Sequence, residues 1–113
     1  MPATAPELND GRWVRACRTD EIAPGGAIAV PSVPPIAVFN IDGEFFATDG
    51  MCSHQEYSLI EGYIDGDVVE CALHFSRFNV RSGKALTPPA CSPLRTYEVH
   101  VSGNGVYVHL GGA

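Results

Sequence analysis

Apolar residues along this chain fall into short runs broken by turn residues, and none of the runs keeps a helical period. RWVRACR (12–18), AIAV (27–30), IAVFNID (36–42) and EFFATD (44–49) carry β-branched and aromatic residues at strand spacing. Three prolines in PSVPP (31–35) force a loop between the second and third of these runs. Asp42-Gly43 predicts a two-residue hairpin, and Asp65-Gly66 predicts another between EGYI and DVVEC. LRTYEVHVS and GVYVHL flank SGNG and predict a terminal hairpin. Within it, Tyr97, Val99 and Val101 share one face, as do Val106, Val108 and Leu110. TDEIAPGG (19–26) has room for a short helical turn before Pro24 and no more. The pattern predicts an all-β, antiparallel sandwich or barrel of short strands.

Composition narrows this picture. The chain has 113 residues, which fits a single domain (1–113) with one modest core. Hydrophobic residues make up 45% and charged residues 18%, a globular balance. The formal net charge is −6, which argues against a nucleic-acid partner and for one with a basic patch. MPATAPELND has no basic or apolar leader signature and reads as a loose N-terminus over residues 1–10. No run approaches the ~20 apolar residues that span a bilayer. The expectation is a cytoplasmic protein with no membrane association. Disulfides do not persist in that compartment, so the four cysteines read first as metal ligands or buried thiols.

The chemistry concentrates in two stretches, MCSHQEYSL (51–59) and ECALHFSRF (70–78). Cys52 and His54 sit one residue apart. Cys71 and His74 follow after sixteen residues, with two residues between them. Both pairs fall near the tips of predicted hairpins, where two loops could close around one metal centre. Buried core side chains and a Cys2His2 zinc module are the other readings. Zinc sites usually pair like with like, as C-x₂₋₄-C and H-x₃₋₅-H, and the mixed pairs here break that habit. A Rieske [2Fe–2S] centre explains them, because two Cys bind one iron and two His the other, with each loop serving both irons.

CSH and CALH at this spacing resemble the Rieske motif. MCSHQEYSLIEGYIDGDVVECALHFSRFNVRSGKAL, the proline-rich TPPACSPL and the last hairpin extend the likeness over roughly residues 12–110. The whole is similar to bacterial Rieske-type ferredoxins of aromatic-ring-hydroxylating dioxygenase systems. The resemblance implies a β-sandwich base with an inserted cluster-binding part of two loops, at about residues 49–82. It implies one [2Fe–2S] cluster, with Cys52 and Cys71 on the inner iron and His54 and His74 on the outer one. TPPACSPL would be the proline loop over the cluster; if docking proves apolar rather than charge-steered, Phe75 and Pro89 are candidate rim residues. The implied role is one-electron transfer from a ferredoxin reductase to a terminal oxygenase in aromatic hydrocarbon catabolism. The chain would be a monomeric carrier and not itself an enzyme. The Rieske small subunit of a larger redox enzyme, such as a nitrite reductase, is the alternative.

Several positions depart from relatives of that kind. High-potential Rieske proteins join two further loop cysteines in a disulfide; this chain has Gln55, Glu56, Tyr57 and Leu73 in those regions. Cys17 and Cys91 read as free thiols, with a disulfide between them as the other possibility. Gln55 follows His54 where Gly is common. Ser76 keeps a hydroxyl that high-potential proteins donate to the cluster sulfurs, while Phe78 stands where they have Tyr. A solvent-facing turn residue is the plain alternative for Ser76. His100 and His109 are expected at the surface, opposite the Val and Leu positions.

Overall fold

The computed structural model describes residues 12–30, 32, 35–51, 58–71, 76–86 and 93–110. The strands are β1 (Trp13–Arg18), β2 (Ala27–Val30), β3 (Ile36–Ile41), β4 (Glu44–Asp49) and β5 (Tyr63–Asp65). They continue with β6 (Val68–Glu70), β7 (Arg77–Asn79), β8 (Thr96–Tyr97), β9 (Val99–Ser102) and β10 (Gly105–His109). Short 3-10 turns cover Thr19–Glu21 and Leu59–Glu61, the first inside the stretch expected to hold a turn at most. The strands pair antiparallel in three sheets, ordered β1-β10-β9, β2-β3-β4-β8 and β5-β6-β7. Among the described residues no helix is long and apolar enough to cross a membrane.

The four-stranded sheet is the middle layer, and alternation along β3 shows why. All six residues of β3 are buried. Ala37, Phe39 and Ile41 enter one core with Leu59, Val69, Cys71, Phe78, Val80 and Leu94. Ile36 and Val38 enter a second with Cys17, Val30, Tyr97, Val106 and Val108. Successive side chains of a strand point to opposite faces, so a strand covered on both sides reads as an unbroken apolar run. Each fully buried Phe, Leu or Val contributes about 1.5–3 kcal/mol relative to exposure. Asn40 breaks the run yet stays 4% exposed. Its amide nitrogen donates to the Ile22 carbonyl at 2.7 Å, and its oxygen accepts from the Gly43 N–H at 2.7 Å. A buried amide so satisfied avoids the desolvation penalty of an unpaired one.

The first hairpin turns where the sequence places it. Ile41 pairs with Glu44, and Asp42 (φ 54°) and Gly43 (φ 92°) both take the positive φ that a type I′ turn requires. The second turns one residue later than expected. Asp65 is still in the strand, paired with Val68, and Gly66-Asp67 makes the turn. Gly66 alone of these has positive φ (61°), as a type II′ turn demands of its first central residue.

The run LRTYEVHVS is not one strand. Thr96 and Tyr97 pair with β4, whereas Val99–Ser102 pair with β10. The chain changes sheets at exposed Glu98, whose carbonyl accepts from the His109 N–H at 2.9 Å. Tyr97 and Val99 still face the same core, but Val101, on edge strand β9, is 44% exposed.

Candidate metal centre

Of the predicted ligands, Cys71 is described; Cys52, His54 and His74 lie outside the described residues, as do Gln55, Phe75, Pro89 and Cys91. What the structure does show is the frame from which the two ligand-bearing segments spring. Residues 52–57 are closed at their base by an antiparallel bridge between Met51 and Ser58 and by the Leu59 N–H bond to the Gly50 carbonyl at 2.8 Å. Residues 72–75 are closed by the Cys71 N–H bond to the Ser76 carbonyl at 2.7 Å and by the Glu70–Arg77 pair one step below. Pinned ends leave little loop entropy to be lost when a ligand orders the tips.

The bases meet in one core. Leu59 (0% exposed), Cys71 (1%), Phe78 (0%) and Leu94 (3%) belong to the same buried cluster. The first segment, the second segment and the chain returning from proline-rich residues 87–92 are thus anchored side by side. The return is held tightly. The Leu94 N–H donates to the Gly83 carbonyl at 2.7 Å. Gly83 adopts φ 77°, and a Cβ there would overlap the Leu94 carbonyl oxygen. Any other residue at 83 would be strained in its backbone and would push the return segment away.

Ser76 is not at the surface. It is 0% exposed, and its Oγ has no hydrogen-bond partner among the described residues. The alternative of a solvent-facing turn residue is therefore corrected. A buried hydroxyl with no acceptor costs about 1–3 kcal/mol, so an acceptor supplied from outside the chain would relieve a real penalty. Sulfide or thiolate sulfur bound at Cys71, across the turn from Ser76, is such an acceptor. The residues present therefore fit an iron–sulfur cluster: a buried cysteine in a pre-closed loop, with an orphaned donor across the turn. Among the described residues, which include only Cys71 of the expected ligands, no group of three or more His, Cys, Asp or Glu side chains could hold a metal ion.

Cys17 is a free, buried thiol in the second core, separate from the core of Cys71. The expected alternative of a disulfide to Cys91 involves a residue outside the described ones. Burial pushes its pKa up, the Glu21 charge adds to this, and Arg15 opposes it, so the thiol stays protonated and inert. His100 and His109 lie on the outer face but are half-buried, because the Trp13 ring meets both edge-on, at 6.3 Å and 4.9 Å between centroids.

Sequence reasoning missed one group beside the site. The Tyr97 O–H donates to Asp49 Oδ1 at 2.8 Å, and the Arg95 N–H donates to Asp49 Oδ2 at 3.1 Å. The Asp49 N–H in turn donates to the Arg95 carbonyl at 2.8 Å. The Arg95 guanidinium lies 5.2 Å from the Tyr97 ring centroid. The Tyr97 hydroxyl is pushed up to about 12, first by burial, then by its hydrogen bond to Asp49 and by the Asp49 charge; Arg95 opposes. Asp49 lies 46 and 48 positions from its partners, so no local spacing could have signalled the group.

Comparison with known proteins fits this frame. The family model described as the Rieske [2Fe–2S] domain matches residues 12–98. The biphenyl dioxygenase ferredoxin subunit of Pseudomonas sp. (strain KKS102) is 48% identical over 103 residues, covering 89% of this chain and 94% of that relative. The ferredoxin component of biphenyl 2,3-dioxygenase from Rhodococcus jostii (strain RHA1) is 48% identical over 99 residues, covering 87% of this chain and 92% of that one. Among solved structures, a chain from the complex of reduced oxygenase and oxidised ferredoxin in carbazole 1,9a-dioxygenase matches with a TM-score of 0.87 at 36% identity. That match covers 90% of this chain and 96% of the other.

Proposed function

Because the chain belongs to the Rieske [2Fe–2S] domain family, we propose that it is a one-electron carrier serving the terminal oxygenase of an aromatic-ring dioxygenase. The observation that carries this reading is buried Cys71 at the closed base of its loop, with the Ser76 hydroxyl, unpartnered among the described residues, across the turn. Its relatives named as dioxygenase ferredoxin subunits supply the system. The cluster, when bound, supplies a single-electron couple near or above −150 mV, roughly −150 to +300 mV for centres of this type.

The chain's own residues do the rest. Cys52 and Cys71 would hold one iron of the cluster, and His54 and His74 the other. Residues of about 49–82 act as the cluster-binding part of one domain. Cys71 would bring its thiolate from a buried position packed with Val69 and Phe78, where water is excluded from around the side chain. Ser76 would donate its hydroxyl to a cluster or cysteine sulfur and so favour the reduced state, which carries one more negative charge. A ferredoxin reductase is the electron donor, and the carrier acts as a cytoplasmic monomer.

Purification followed by a visible spectrum, with iron and acid-labile sulfide analysis, tests the cluster. Iron and sulfide in equal amounts with a Rieske-type spectrum are expected. A colourless zinc protein would end the reading. Reduction by a reductase followed by reoxidation on adding oxygenase then tests the direction of electron flow.

A further inference from the structure

Two segments that flank the metal centre meet at the Asp49 carboxylate. Asp49 ends β4, and Gly50 and Met51 alone separate it from Cys52. Arg95 lies on the chain returning from residues 87–92, and Leu94 beside it is already fixed to Gly83 beyond β7. The return segment is therefore held between the end of β4 and the turn after β7. The Asp49 N–H bond to the Arg95 carbonyl is backbone and does not depend on the side chain. The carboxylate adds the Arg95 N–H and the Tyr97 O–H as further donors, and these depend on the side chain. Tyr97 is 4% exposed and Arg95 lies over its ring, so the hydroxyl cannot swing away to water without moving both.

A carboxylate at a strand end is usually solvated, and Thr48, which precedes Asp49, already pairs with Thr96 through the backbone ladder. Holding two segments in one register is what this carboxylate adds to that ladder.

We propose that Asp49 is a positioning residue for the cluster. Its carboxylate locks the root of the first ligand loop to the return of the proline-rich segment, and so limits the access of water to the iron and sulfide. The proposal rests on the reading that Cys52, His54, Cys71 and His74 hold a Rieske centre. Breaking the lock lets water in. Water favours the more charged, reduced state of a centre that is neutral when oxidised, so the midpoint potential rises as the cluster becomes easier to strip.

The test uses the purified holoprotein and the variants Asp49→Asn, Asp49→Glu, Tyr97→Phe and Trp13→Ala. Three quantities are read: bleaching of the visible spectrum in excess iron chelator, the midpoint potential, and hydrogen exchange of the Arg95 amide. Hydrogen bonds to a charged group lead us to expect bleaching about tenfold faster in Asp49→Asn. A smaller, severalfold increase is expected in Tyr97→Phe, and partial rescue in Asp49→Glu. Asp49→Asn also removes a negative charge, which raises the potential by itself; Tyr97→Phe changes no charge, so a rise there isolates the effect of water. The Arg95 amide should exchange faster in Asp49→Asn. Trp13→Ala lies in the β1-β10-β9 layer, against His100 and His109 and outside both buried cores, and should lower thermal stability while leaving all three readings near the wild type. Unchanged bleaching and potential in Asp49→Asn and Tyr97→Phe would overturn the proposal. So would equal bleaching in Trp13→Ala at the same loss of melting temperature, since the role would then be general stability. A wild type without a Rieske spectrum would overturn the underlying reading, a failure seen before any variant is compared.

Discussion

Replacing Ser76 by Ala removes one oxygen atom from the interior across the turn from Cys71, and two accounts of that oxygen give opposite signs. If the hydroxyl has no acceptor, as among the described residues, its loss relieves a desolvation penalty of about 1–3 kcal/mol. At roughly 4 °C per kcal/mol for a domain of this size, the melting temperature would rise by several degrees. If the hydroxyl donates to cluster sulfur in the holoprotein, its loss removes a charge-assisted bond and the melting temperature falls. Only the difference in bond strength between the redox states moves the potential. We take about 0.5–1.5 kcal/mol for that difference, less than the ~1.5–3 kcal/mol of a whole bond to a charged group. At about 59 mV per tenfold change for one electron, this lowers the midpoint by roughly 20–65 mV. A redox titration and a thermal melt of wild type and Ser76→Ala holoprotein, side by side, decide between the accounts. A lower midpoint with an intact spectrum and a lower melting temperature is expected. A higher melting temperature with an unmoved midpoint would refute the bond to sulfur.

Cys52→Ser and Cys71→Ser should each abolish the visible spectrum and the paramagnetic signal of the reduced state; retention of both signals in both variants would unseat the ligand assignment. With a net charge of −6, encounter with the redox partner should be steered by charge, so the electron-transfer rate should fall as ionic strength rises. A flat profile would leave an apolar docking surface as the explanation. The raised value of Tyr97 means that the stabilising effect of its neutral hydroxyl is whole below about pH 10 and is lost as pH climbs through about 12. An ultraviolet titration should accordingly lose its step near pH 12 in Tyr97→Phe, and an unchanged curve would refute the assignment.

The ligand spacing was legible because metal chemistry is written locally: Cys and His one or two residues apart can reach one cluster from one loop. The strands of the middle sheet were legible for a similar reason, since apolar runs such as AIAV and IAVFNI coincide with β2 and β3. The misplaced turn at Gly66-Asp67 shows the limit of a local rule. Asp-Gly signals a type I′ turn, but a lone Gly also serves a type II′ turn one residue on, and pairing across the hairpin decides between them. The break at Glu98 was hidden because alternation continues through it while the pairing partner changes from β4 to β10. Ser76 and Asp49 were hidden more deeply. Ser76 is buried by packing that its neighbours in sequence do not announce, and the Asp49 carboxylate finds its donors on a segment far along the chain.

β3 belongs to two interiors at once, with odd-numbered side chains in the core beneath the ligand loops and even-numbered ones in the core on the far side. Its tolerance of change is therefore lopsided. A swap of one aliphatic residue for another touches a single interior and leaves the other as it was. Inserting or deleting one residue would exchange the occupants of both, sending Asn40 toward the metal side and Phe39 to the opposite layer. Redesign of the electron-carrying half can thus proceed on residues 37, 39 and 41 without disturbing the supporting half, provided the length of the strand is left alone.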